Sequence, residues 1–133
     1  MREILFRGKL KSNDEWSFGN LNVSLRSIVI ITPDKTPIGK YGQIIPETVG
    51  QFTGLTDKNG KKIFEGDIVT YCTSTNKATN KESHEVVFET RGESGYFGIK
   101  ISKIETWGFC IEVPAKLMKV IGNIYDNHEL LEE

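Results

Sequence analysis

The chain has 133 residues, of which 38% are apolar and 26% charged, and a formal net charge of −1. A chain of that length buries a core without a metal or disulfide staple, and near-neutrality argues against a dedicated nucleic-acid binder, which carries a strong basic excess. The charge is uneven, however: residues 1–66 hold ten Lys or Arg against seven acids, and 67–133 hold seven against eleven.

Strand patterns dominate from the start. "EILFR" at 3–7 and "EWSF" at 15–18 alternate apolar and polar, with "GKLKSND" as a hairpin loop and Gly19-Asn20 closing the second strand. "VSLRSIVIIT" at 23–32 begins by alternating and turns continuously apolar from Ile28 to Ile31, as a strand covered on both faces does. "PDKTPIGKYGQIIPETVG" reads as a long ordered loop with a helical turn at Pro46 to Val49. "DIVTYC" at 67–72 is a strand, and "TSTNKATNKES" at 73–83, apolar only at Ala78, is a mobile loop. Four further strands follow in "EVVFE", "GYFGIKI", "GFCIEV" and "MKVIGNIY". Turns at Arg91 to Gly95, at "ETWG" and at Pro114 separate them, and Pro114 can open one helical turn through Leu117. In the closing "DNHELLEE", Asp126 or Asn127 caps a short helix that docks Leu130 and Leu131.

About eight short strands predict a mainly β fold, α+β at most: a small antiparallel barrel or sandwich, with an SH3-like barrel admissible. One domain is expected over 1–133, with an N-terminal β-hairpin extension and loop over 1–50 and a barrel-like core with a short C-terminal helix over 51–133. The start "MREILFRGKL" lacks an apolar stretch of signal-peptide length, and no run of 18 apolar residues exists, so the expectation is a cytoplasmic protein with no membrane partner. Cys72 and Cys110 are then expected to be reduced.

The densest cluster of polar residues is "QFTGLTDKNGKKIFEGDIV" at 51–69. As a calcium loop starting at Asp57 it fails, because Lys62 stands where the glycine belongs and Ile68 where the bidentate Glu belongs. Lys58, Lys61 and Lys62 would also oppose a cation. As a hairpin it succeeds. Asn59-Gly60 favours the positive φ of a two-residue turn, Asp57 can accept backbone hydrogen bonds in it, and Glu65-Gly66-Asp67 makes a second turn, with Ile63 and Phe64 both buried between. The stretch "ETVGQFTGLTDKNGKKIFEGDIV", with "REILFRGK", "EWSFG" and "VIGNIYDNHELL", resembles the YopX-like family of phage and prophage proteins over the whole chain. The resemblance implies a small β-rich protein encoded by phages of Gram-positive hosts. It brings no activity and no catalytic residue, and His128 stands where the family's last motif usually has proline.

Other chemistries fit poorly. Cys72, His84, Cys110 and His128 are spaced 12, 26 and 18 apart, without the close pairs of a zinc site. "GESGY" at 92–96 lacks the strand-to-helix setting of a nucleophile elbow, and the glycines at 54, 60 and 66 are not followed by a phosphate-loop lysine. No catalytic residue, metal or cofactor is expected. The expected function is a non-enzymatic phage accessory protein that binds a protein partner, of the phage or the host, or a nucleic acid, or assembles with itself. The alternative is a nucleic-acid-processing or hydrolytic accessory using Glu65 and Asp67. Candidate binding residues are Trp16 and Trp107, as stacking platforms, and the tip residues Lys58, Asn59, Lys61 and Lys62. Three tip lysines would neutralise about three phosphates, so nucleic-acid binding is expected to be weak and non-specific, with a log–log salt slope near −2.7.

Overall fold

The computed structural model describes residues 4–23, 28–31, 41–71, 83–101, 106–109 and 114–131. Two compact units meet in sequence between Phe52 and Thr53. Both are built from antiparallel strands, and the described helical segments are single 3-10 turns.

In the first unit, β1 (Phe6–Lys9), β2 (Trp16–Val23), β3 (Ile28–Ile31) and β4 (Tyr41–Gln43) form a meander. β1 also pairs with the start of β5 (Gly50–Thr56) through Phe6↔Gln51 and Arg7↔Gly50. Gly19-Asn20 does not end β2. Both residues stay in the ladder, Gly19 opposite Phe6 and Asn20 opposite Ile31. The segment expected as one strand over 23–32 is therefore two, with Val23 closing β2 and Ile28 opening β3 directly across from it. Val23, Ser24, Leu25 and Arg26 go on alternating apolar and polar, so periodicity alone does not separate the two strands. Part of the expected loop at 33–50 is also strand, since Tyr41–Gln43 pairs with β3 and Ile44 bridges Leu10. The turn at Pro46–Thr48 is found as expected; Thr48 is buried, and its hydroxyl donates to the Ile45 carbonyl at 2.7 Å and accepts the Lys9 N–H at 2.9 Å.

In the second unit, the end of β5 continues into β6 (Lys62–Phe64), followed by β7 (Asp67–Tyr71), β8 (Ser83–Arg91), β9 (Ser94–Lys100), β10 (Thr106–Gly108) and β11 (Met118–Asn123). The last five form a sheet in the order β10-β9-β8-β7-β11. Its apolar face is the core: Val69, Tyr71, Val86, Ile99, Met118 and Val120 are buried together with Ile63 of β6, and Leu55, Phe97 and Trp107 pack against them. Each fully buried aliphatic side chain of this kind contributes about 1.5–3 kcal/mol. The β5–β6 layer over the sheet gives a small sandwich-like arrangement, and neither sheet closes into the barrel that the sequence admitted, among the described residues. The ladder stops at β11 because its outer edge meets a turn and a carboxylate, at Lys58 and Asp57, in place of another strand.

"ETWG" was expected as a turn, yet Thr106–Gly108 is strand β10, paired with β9 through Trp107↔Ile99. Burial of Trp107 against the core overrides the local turn preference. The 3-10 turn opened by Pro114 spans Ala115–Leu117, as expected. The C-terminal helix is only a 3-10 turn, His128–Leu131, and Leu130 remains exposed. It is held by Asn123, whose Oδ1 accepts the N–H groups of Tyr125 and Asp126, and by Asn127, whose Oδ1 accepts the Asn123 N–H. The expected mobile loop at 73–83 lies outside the described residues except for Ser83, which opens β8. Cys110 to Val113 of the expected strand "GFCIEV", and both cysteines, lie outside them as well. Among the described residues, no helix is long and apolar enough to cross a membrane.

Candidate functional site

The charged hairpin of the opening motif is a three-residue loop, not a two-residue one. The Gly60 N–H donates to the Asp57 carbonyl at 3.0 Å, closing a β-turn, and the Asp57 N–H donates to the Lys61 carbonyl at 2.8 Å. Gly60 alone takes positive φ, at 82°, while Asn59 stays at negative φ. This is a turn followed by a bulged glycine, the usual build of three-residue hairpins.

Asp57 is the anchor of the loop. Its side chain is only 2% exposed. Oδ1 accepts the N–H groups of Asn59 at 2.8 Å and Lys61 at 2.9 Å, and Oδ2 accepts the N–H of Val120 at 2.9 Å. One residue on, the Lys58 N–H donates to the Met118 carbonyl at 2.9 Å. Backbone and carboxylate together thus stand in for a strand along the outer edge of β11. Burial by itself pushes the Asp57 carboxyl up, but the N–H groups of Val120, Lys61 and Asn59, with the Lys61 charge, outweigh it and hold the carboxyl below its ordinary value of 3.8.

Above this anchor Lys58, Asn59, Lys61 and Lys62 are all exposed. The second turn follows the same logic on a smaller scale. Gly66 takes φ of 94°, and buried Asp67 accepts the Phe64 N–H on Oδ2 at 2.7 Å. Ile63 and Phe64 are both buried, as the motif implied.

The two tryptophans are not part of the tip. Trp107 sits on β10, at the opposite edge of the second unit's sheet from β11, and is half-buried against the core. Trp16 belongs to the first unit, across the β1–β2 ladder from Lys9. Its ring centroid lies 4.6 Å from the Arg7 guanidinium carbon and 5.6 Å from the Lys9 ammonium. Two cations of its own sheet already engage that ring, and Lys9 also lies 3.7 Å from the Asp14 carboxylate.

The family model described as YopX protein matches residues 5–132. The chain belongs to the YopX family. The match runs through both units. A crystal structure of protein EF1440 from Enterococcus faecalis resembles this chain at a TM-score of 0.58 and 27% identity, over 99% of this chain and 100% of that one. No curated protein matches the chain.

Of the four residues Cys72, His84, Cys110 and His128, His84 is buried and His128 is exposed. The His84 Nδ1 lies 3.1 Å from the Lys100 carbonyl, to which it can only donate, and its Nε2 has no hydrogen-bond partner among the described residues. No group of three His, Cys, Asp or Glu that could hold a metal occurs among the described residues. A charged group that sequence spacing did not reveal gathers at the second turn, where Glu85 of β8 feels Lys100, His128 and Glu65. Burial pushes the Glu85 carboxyl up from 4.5, helped by the Glu65 charge and opposed by Lys100 and His128. A raised carboxyl means that the folded chain binds more protons than the unfolded one as pH rises past 4.5. That contribution to stability is complete below 4.5 and is lost as pH climbs through the folded value. Glu85→Gln is therefore expected to raise the melting temperature at pH 7 and to flatten its fall above pH 4.5. Paired melting curves from pH 4 to pH 7.5 check this, and a lower melting temperature for the Gln variant at pH 7 contradicts it.

Proposed function

We propose that this YopX-family chain is a non-enzymatic binding module of phage or prophage origin, acting in the cytoplasm of the host cell and meeting a macromolecule through its hairpin tip. The supporting observation is the tip itself. Four polar side chains stand exposed on a loop whose backbone is fastened at residues 57, 58, 59 and 61 by hydrogen bonds to a buried carboxylate and to β11. A loop fixed in this way meets a partner with little ordering cost. Site-specific photocrosslinking from position 59 in phage-carrying cells is expected to give discrete adducts that a control at exposed Glu93 does not. Adducts absent from both positions would remove the reading.

Self-assembly is the companion reading. β10 edges the second unit's sheet, and an edge strand is a template for a second copy. Light scattering that finds only monomer at high micromolar concentration excludes it. The hydrolytic alternative gives Asp67 a chemical role, yet this carboxylate is 2% exposed and accepts the Phe64 N–H. Asp67→Ala is expected to lower stability by about 0.5–2 kcal/mol, the scale of a lost capping carboxylate. An unchanged melting curve with a lost divalent-dependent hydrolysis would favour the alternative.

A further inference from the structure

The tip is not a three-lysine feature. Val120 and Met118, which fasten residues 57 and 58, flank exposed Lys119 on β11, and exposed Lys116 lies on the 3-10 turn just before it. These two bonds set the backbone of Lys58 alongside the β11 edge, one residue from Lys119 and two from Lys116 in register with Met118. Residues 53–62 and 114–123 carry these five lysines, no arginine, and a single acid, Asp57. That acid is buried, with three N–H groups on its carboxylate. This concentration is local: residues 53–133 as a whole hold ten Lys or Arg against thirteen acids.

We infer that the five-lysine surface at the β11 edge of the second unit docks the phosphodiester backbone of a nucleic acid, without reading its sequence. The inference rests on, and narrows, the reading of the chain as a binding module. The residue types select the partner. Lysine ammonium groups are point charges suited to phosphate oxygens, whereas bidentate recognition of carboxylates or base edges uses arginine. Lysine is also depleted from the interior of protein–protein interfaces. Among the described residues of these two segments Leu117 is the one exposed large apolar side chain, and neither segment holds an aromatic residue, so base stacking is not part of the inference.

The size of the array makes the inference testable. Five phosphate contacts give a log–log salt slope near −4.5, or a loss of about 500-fold between roughly 50 and 200 mM salt, against about forty-fold for the tip lysines alone. Fluorescence anisotropy of a 20-base-pair DNA duplex with the full chain, from 20 to 250 mM KCl, reads the slope. Lys116→Gln with Lys119→Gln, both exposed and distant in sequence from the tip, is expected to bring the slope to about −2.7 with an unchanged melting temperature. A wild-type slope already near −2.7, no binding at 20 mM KCl, or a double variant with the wild-type slope each overturns the inference. Poly-glutamate competing as strongly as DNA at equal charge also overturns it, in favour of an acidic protein. The crosslinks from position 59 separate the two levels: nuclease-resistant protein adducts sink the nucleic-acid inference and leave the binding module standing, while no adducts at all sink both.

Discussion

Asp57→Ala is expected to be the most damaging single substitution in the second unit. It strips the acceptor from three backbone N–H groups, those of Asn59, Lys61 and Val120, at a site only 2% exposed. Hydrogen bonds to a charged group contribute about 1.5–3 kcal/mol each, and a buried donor left without a partner costs about 1–3 kcal/mol. Water reaches the two turn donors in the variant, so the total falls short of the sum, at about 3–5 kcal/mol. That is a large share of the 5–15 kcal/mol of an ordinary domain. Asp57→Asn keeps the shape but turns an amide N–H₂ toward one of the backbone donors, so it is expected to lose about half as much. Urea denaturation compares the three proteins, and a loss below about 1 kcal/mol for Asp57→Ala contradicts the role assigned here. The pH dependence has a definite sign. The folded carboxyl lies below 3.8, so its contribution is fully present above that value and is lost as pH falls through the folded one. The Asn variant is expected to lose this part of the acid sensitivity.

Gly98→Ala is expected to follow closely. A Cβ at Gly98 would lie 2.4 Å from the Trp107 carbonyl oxygen and 3.0 Å from Gly108 Cα. Both neighbours are backbone, so β10 itself must move away from β9. Trp107 and Phe109, which belong to the core or pack on it, move with it. Overpacking of this kind costs about 1–3 kcal/mol, with the lost aromatic packing added. In a Trp16→Phe background, where Trp107 alone reports, the emission is expected to shift to the red along with a lower melting temperature. An unshifted spectrum with less than about 0.5 kcal/mol of lost stability would falsify this account of the β9–β10 contact.

The strands most legible in the sequence are those whose pattern is local. Alternation in "DIVTY", "EVVFE" and "MKVIGN" marks β7, β8 and β11, because each sends one face to the core. The Asp57 turn was readable as well, down to the acceptor role of its carboxylate. What escaped depended on partners far along the chain. β10 is strand only because β9 lies beside it, and the division between Val23 and Ile28 is hidden because Val23, Ser24, Leu25 and Arg26 go on alternating apolar and polar. Gly60 could be recognised as a turn residue, but loop length is set by where Asp57 pairs with Lys61. The candidate surface was half legible. Lys58, Lys61 and Lys62 stand together in sequence, whereas Lys116 and Lys119 join them through a hydrogen bond that spans 63 residues.

That span has a consequence for the order of folding. The hairpin around Asn59-Gly60 is a local element that closes in about 1–10 μs once its residues are free. Its carboxylate oxygen for Val120 has no donor until β11 joins β7. At a synthesis rate of roughly 5–20 residues per second, the 63 intervening residues take about 3–13 s to follow. During those seconds the hairpin is a solvated turn with three lysines, and the sheet edge it will cap does not exist. The bonds that fix the tip are completed only by β11, so the closing of that edge also marks the second unit as finished.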